Sequence, residues 1–134
     1  MRKIILLLVF IPFISISQNI NNSSFAGIVK VKYTKKEYPL EITISNLQKN
    51  QISVISSYHL GTCVVELIFD STTVDGKYIF HEKIKEGCKK EPGTDNGTVI
   101  LELINNDQVL FRWYYPSGSL GEEGVLSKIY SSVY

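Results

Sequence analysis

The chain has 134 residues, 44% of them hydrophobic and 20% charged, which is enough for one compact domain with a single core. Fourteen basic residues against thirteen acidic ones leave a formal charge of +1, so nothing in the balance attracts nucleic acid or an anionic membrane. Basic and acidic residues are scattered, without the like-charge blocks that mark interaction tails.

The amino terminus reads as an export signal. Arg2 and Lys3 precede an apolar run over residues 4–14, and Ser15-Ile16-Ser17 puts small residues three and one positions before Gln18. As a helix that run would extend roughly 16 Å, well short of the ~30 Å a bilayer core requires. Pro12 weakens a continuous helix further. Residues 1–17 are therefore expected to be cleaved, leaving no membrane span, and the product to reside in the periplasm or the medium. Residues 18–26 form a polar lead-in, and residues 27–134 a single domain.

From residue 27 onward the apolar period is two, the mark of half-buried strands. Val29, Val31 and Tyr33 alternate with Lys30, Lys32 and Thr34; Leu40, Ile42 and Ile44 follow suit, and Ile52 and Val54 resume the pattern after the turn residues of 46–50. Residues 63–70 are apolar on both faces apart from Glu66, as in a doubly covered strand. Asp75-Gly76 is a strong hairpin signal, after which Tyr78, Phe80, Glu82 and Ile84 share one face. Residues 97–104 and 109–115 flank a second hairpin at 105–108. Pro116-Ser117-Gly118 turns the chain into a last short strand at 125–129.

The class implied is all-β: an antiparallel meander of about eight strands, with a small closed barrel the first expectation and an open β-sandwich the second. Closure is favoured because it removes the unpaired edges that invite aggregation.

Cys63 and Cys88 are the only cysteines. A zinc site built from His59, Cys63, His81 and Cys88 is conceivable, but the close-spaced ligand pairs usual in such sites are missing. No family signature of a catalytic thiol surrounds either residue. A disulfide is the simplest reading for an exported chain. It would close the hairpin through Asp75-Gly76, and the chain-entropy argument assigns it about 3.5 kcal/mol for a loop of that length.

Tyr58, Cys63, Leu67, Phe80, Glu82, Ile84, Gly87, Cys88, Gly97, Leu101, Leu103, Trp113, Gly118 and Leu126 follow one another in an order that resembles a family of small exported bacterial proteins. Its most specific part is the two-cysteine frame around an F-x-E-x-I strand. The resemblance covers residues 57–128 and implies a calycin-like barrel with one disulfide; it implies no activity. Val64-Val65 departs from it, because a small residue is usual shortly after the first cysteine.

Glu82 is the position of most chemical interest. Alternation puts it on the covered face, where a carboxylate must be paired, hydrogen-bonded or protonated. Arg112, Lys30, a tyrosine or the backbone would serve as structural partners; the functional alternative is a carboxylate that orients a ligand in a cavity. In Arg112-Trp113-Tyr114-Tyr115, Trp113 and Tyr115 share a face, as core fillers or as a ring platform. Glu82, Trp113 and Tyr78 are the candidate ligand-binding residues.

Glu66 and Glu102 also interrupt apolar strands, but without a register three carboxylates on separate strands cannot be paired. A sugar hydrolase would need two of them roughly 5–9 Å apart. His59 and His81 lack partners at a diagnostic spacing, and Ser117-Gly118-Ser119 is a turn rather than a nucleophile elbow. Gly118, Gly121 and Gly124 fail the dinucleotide pattern, and Asn21, Asn22 and Asn96 are acceptor triplets only in a host that glycosylates.

No catalytic constellation and no cofactor or metal site is expected. The expectation is a non-enzymatic barrel module that binds a small apolar or amphipathic ligand or a partner protein. A solid-core structural or interaction protein of the envelope is the alternative, and a hydrolase using Glu82 stands third.

Overall fold

The computed structural model describes residues 20–58, 63–86, 88 and 96–130; residues 1–17, expected from sequence to be an export signal, and His59 lie outside them. Eight strands follow in order: β1 (Ser23–Val31), β2 (Glu37–Ile44), β3 (Ile52–Tyr58), β4 (Cys63–Thr72), β5 (Lys77–Glu86), β6 (Thr98–Asn105), β7 (Gln108–Tyr114) and β8 (Leu120–Ile129). Each pairs antiparallel with the next, and β8 returns to β1, so the meander closes into a barrel and the open sandwich is excluded.

The closing seam runs from Ser24 opposite Ile129 to Val31 opposite Glu122. Two glycines let the backbones meet there. A Cβ on Gly27 would strike the carbonyl oxygen of Val125, and one on Gly124 that of Ile28.

Alternation places Phe25, Val29, Leu40, Ile42, Ile44, Val54, Leu67, Phe80, Leu101, Phe111 and Leu126 inside, all essentially without solvent contact. Their volume fills the barrel from the end carrying the 73–76 and 106–107 turns upward, as expected of a small eight-stranded barrel. The outer face keeps its polar half, with Arg112 between Glu102 (3.8 Å) and Glu123 (2.7 Å) across three neighbouring strands.

Four features differ from the sequence reading. β1 starts at Ser23, inside the segment assigned to a polar lead-in, and Ile20 before it is buried at 2% exposure. The side chain of Asn21 accepts a hydrogen bond from the Leu47 amide at 3.1 Å, so the lead-in is fastened to the barrel. Second, β8 begins at Leu120, five residues early: Gly121 and Gly124 are strand residues chosen for close approach, not turn residues. Third, a bulge at Lys83 breaks the alternation of β5, with Leu67 opposite Glu82 but Glu66 opposite Ile84. The Ile84 side chain, expected from sequence on the Glu82 face, lies outside the described ones. Residues 63–70 are not doubly covered either, because Glu66 and Ile68 face outward and are only half-buried.

The disulfide forms as expected. Cys63, the first residue of β4, is bonded to Cys88 just beyond β5, with Cα atoms 4.7 Å apart. Both sulfurs are thereby committed, which removes the four-ligand zinc arrangement.

Candidate binding site at the polar end of the barrel

The end of the barrel bearing the β1–β2 and β7–β8 turns is built differently from the filled end. Glu82 is a buried carboxylate, 8% exposed, and the indole Nε1–H of the buried Trp113 donates a hydrogen bond to its Oε1. Neither Arg112 nor Lys30 serves it: Arg112 is occupied on the outer face, and Lys30 is exposed.

Glycines make this contact possible. Trp113 lies opposite Val99 on β6, and Gly97, two residues earlier, bonds through its carbonyl to the Glu82 amide at 3.1 Å. A Cβ on Gly97 would overlap the indole nitrogen, and one on Gly121 would overlap the far edge of the same ring. The indole thus lies in a slot with a side-chain-free wall on either side and reaches across to Glu82.

A second carboxylate belongs to the cluster. Glu122 sits opposite Trp113 in register, half-buried, and accepts a hydrogen bond from Tyr38. The rings of Tyr38 and Tyr58 are 5.4 Å apart and tilted by 54°. Burial, then Glu122, push the Tyr38 hydroxyl far above its ordinary value near 10; burial, then Glu122 and Glu82, do the same for the buried Tyr58. Two carboxylates and two phenols therefore share one electrostatic environment. Tyr58 also pairs with Cys63, so the disulfide is fixed at this end.

A path of rings leads out to solvent. Trp113 meets Tyr115 edge to face, with centroids 4.6 Å apart, and Tyr115 meets the largely exposed Tyr33 at 6.3 Å. Below the cluster Ser56, on the inner side of β3 two residues before Tyr58, carries a fully buried hydroxyl with no hydrogen-bond partner.

Of the three residues selected from sequence, Glu82 and Trp113 come together, whereas Tyr78 stands at the other end, one residue inside β5, with Phe80 between it and Glu82. Glu66 and Glu102 belong to the outer face. Sequence reasoning missed Tyr38, Tyr58 and Glu122. His81 points outward, its imidazole 3.6 Å from Asp70 and 3.4 Å from the Thr98 hydroxyl. Among the described residues no group of three or more His, Cys, Asp or Glu is placed to hold a metal ion, and no helix is long and apolar enough to cross a membrane.

Compared with protein-family models, curated proteins and solved structures, the chain matches none.

Proposed function

We propose that the protein is an exported, non-enzymatic β-barrel module that binds a small amphipathic ligand at its polar end. The observation that carries this reading is the meeting of Glu82 and Trp113 inside an otherwise apolar wall, continued by Glu122, Tyr38 and Tyr58. A polar network in a barrel core costs desolvation that apolar side chains would avoid, and such clusters concentrate where ligands are oriented. The filled lower barrel limits the ligand to a head group at the cluster, with the remainder lying along Tyr115 and Tyr33. Export is the compartment in which a chain stapled by Cys63–Cys88 keeps its bridge, and the resemblance to small exported calycin-like proteins points the same way.

A second reading draws on the outer surface. Pro39, Ile28, Val125 and Leu110 lie side by side across β2, β1, β8 and β7, with Ile28 and Val125 about half exposed. A solid-core interaction protein would use such a row against another protein.

Native mass spectrometry of protein purified from its host separates the two. A ligand module gives a mass above that of the oxidised chain cleaved after Ser17, and acid removes the excess. An interaction protein gives the bare chain, with cross-links to a partner mapping to β1, β8 and β7. An intact residue 1–17 segment on mature protein would refute export.

A further inference from the structure

The chemistry of the polar end selects the charge of its ligand. We propose that it seats a small organic ammonium ion against Glu122, Tyr38 and Tyr115, with the Glu82 carboxyl group behind. This deepens the binding-module reading and rests on it.

Three observations converge. The first is the pairing of carboxylates with ring faces: Glu82 and Glu122 occur together with Tyr38, Tyr58, Trp113 and Tyr115. The face of an aromatic ring carries partial negative charge, so such rings attract the same cation as the carboxylates do, and more strongly where water is excluded. The charged side chains acting on the Tyr58 hydroxyl are Glu122 and Glu82, and both oppose a further negative charge there.

The second is independent of the acidic groups. Ser56 holds a hydroxyl with no exposure and no hydrogen-bond partner, on the inner face of β3 directly before Tyr58 in the alternation. Buried polar atoms in native proteins are nearly always paired, so an orphan calls for an explanation such as a ligand group. A primary ammonium brings N–H donors to the strand face that carries this oxygen, two residues from Tyr58.

The third is access. Tyr38, Tyr115 and Glu122 are half-buried while Trp113, Glu82 and Tyr58 are covered, so the cluster has an open side and a closed side. The open side continues through Tyr115 to Tyr33, rings over which a cation can travel without losing its favourable contacts. The apolar filling beneath leaves no place for a long tail to enter first.

Trp113 is the chain's one tryptophan, so a ¹⁵N-labelled sample gives a single indole cross-peak from the heart of the site. Oxidised protein lacking residues 1–17 is titrated with butylammonium, benzyltrimethylammonium, butanol and butyrate at constant ionic strength. The proposal expects the two cations to shift the indole peak saturably, with butyrate and butanol at least tenfold weaker. Glu122→Gln should weaken the cations tenfold or more, and Tyr38→Phe should weaken them less, while Glu102→Gln on the outer face leaves the titration unchanged. The backbone spectrum of each variant establishes that it is folded, and if Glu122→Gln is not, the Tyr38→Phe result decides. Equal or tighter binding of butyrate or butanol overturns the ammonium assignment and leaves the ligand site standing. No shift of the indole or of neighbouring amides with any of the four probes overturns both.

Discussion

The indole nitrogen of Trp113 donates to a carboxylate oxygen of Glu82 across a gap that only Gly97 leaves open. Donor and acceptor are both buried, so the bond between them is shielded from water. Glu82→Gln keeps an acceptor oxygen and should cost less than about 1 kcal/mol. Glu82→Leu removes the acceptor of a buried N–H and should cost about 1–3 kcal/mol. Urea unfolding followed by Trp113 emission measures both; equal stabilities for the two variants would show that the bond carries no weight. Arg112→Ala is the contrasting case, since its partly exposed ion pairs with Glu102 and Glu123 are worth about 0–1 kcal/mol.

Gly97 permits a second test of the same slot. Alanine there drives its Cβ into the indole and should destabilise the fold by about 1–3 kcal/mol, the usual range for overpacking. The penalty is specific to the large ring: in a Trp113→Phe background Gly97→Ala should cost less, and the double-mutant cycle gives the coupling. Gly121→Ala should behave alike, because it presses on the opposite edge of the indole. Gly118→Ala meets no neighbour and is penalised only through its positive φ of 93°, so no Trp113 substitution should rescue it. Additive behaviour of Gly97→Ala and Trp113→Phe would disprove the slot.

The barrel itself was legible because strand periodicity is local. Val29, Ile42, Phe80 and Phe111 announce an inner face within their own strands, and Asp75-Gly76 and Asn106-Asp107 announce the turns between them. Glu82 and Trp113 were legible for the same reason, as a carboxylate and a large ring on faces that should be covered. Their contact was not, because it depends on register across β5, β6 and β7 and on the width of an intervening glycine. Glu122 was concealed more thoroughly. It stands between Gly121 and Gly124, which read as turn residues until the indole and the β1–β8 seam explain why no side chain fits there. Tyr38 gave no signal and Tyr58 only a place in the family pattern, since tyrosine serves equally as a strand former and only the hydroxyl environment distinguishes them. The bulge at Lys83 is a further property of pairing, invisible in β5 alone.

The raised hydroxyls of Tyr38 and Tyr58 make an alkaline prediction. In the unfolded chain tyrosine loses its proton near pH 10, whereas in the barrel burial and the nearby carboxylates hold it on well above that. Above pH 10 the native state thus binds more protons than the unfolded one, and stability falls as pH rises. The contribution is complete below pH 10 and is lost above it. Urea midpoints measured from pH 8 to 11 should decline past pH 10 in the parent and decline less in Tyr58→Phe. Absorbance at the phenolate band should show part of the eight tyrosines ionising only when the barrel unfolds. Identical pH profiles for parent and Tyr58→Phe would contradict the shift assigned to that residue.

The bridge between Cys63 and Cys88 ties the outset of β4 to the chain beyond β5, next to Tyr58 and hence to the cluster. Its sequence separation of 25 sets the loop entropy that cross-linking removes from the unfolded chain, about 3.5 kcal/mol in the chain-entropy description. The pair Cys63→Ala/Cys88→Ala should lower the unfolding free energy by an amount of that order while leaving the far end of the barrel, around Phe25, Leu101 and Val109, protected against hydrogen exchange. Exchange should instead rise first at the amides of Tyr58, Val64 and Val65, because the β3–β4 and β4–β5 pairings near the bridge lose their tether. A uniform rise in exchange over all eight strands, with no gradient toward the polar end, would mean that the sulfurs stabilise the barrel as a whole and do nothing particular for the cluster beside them.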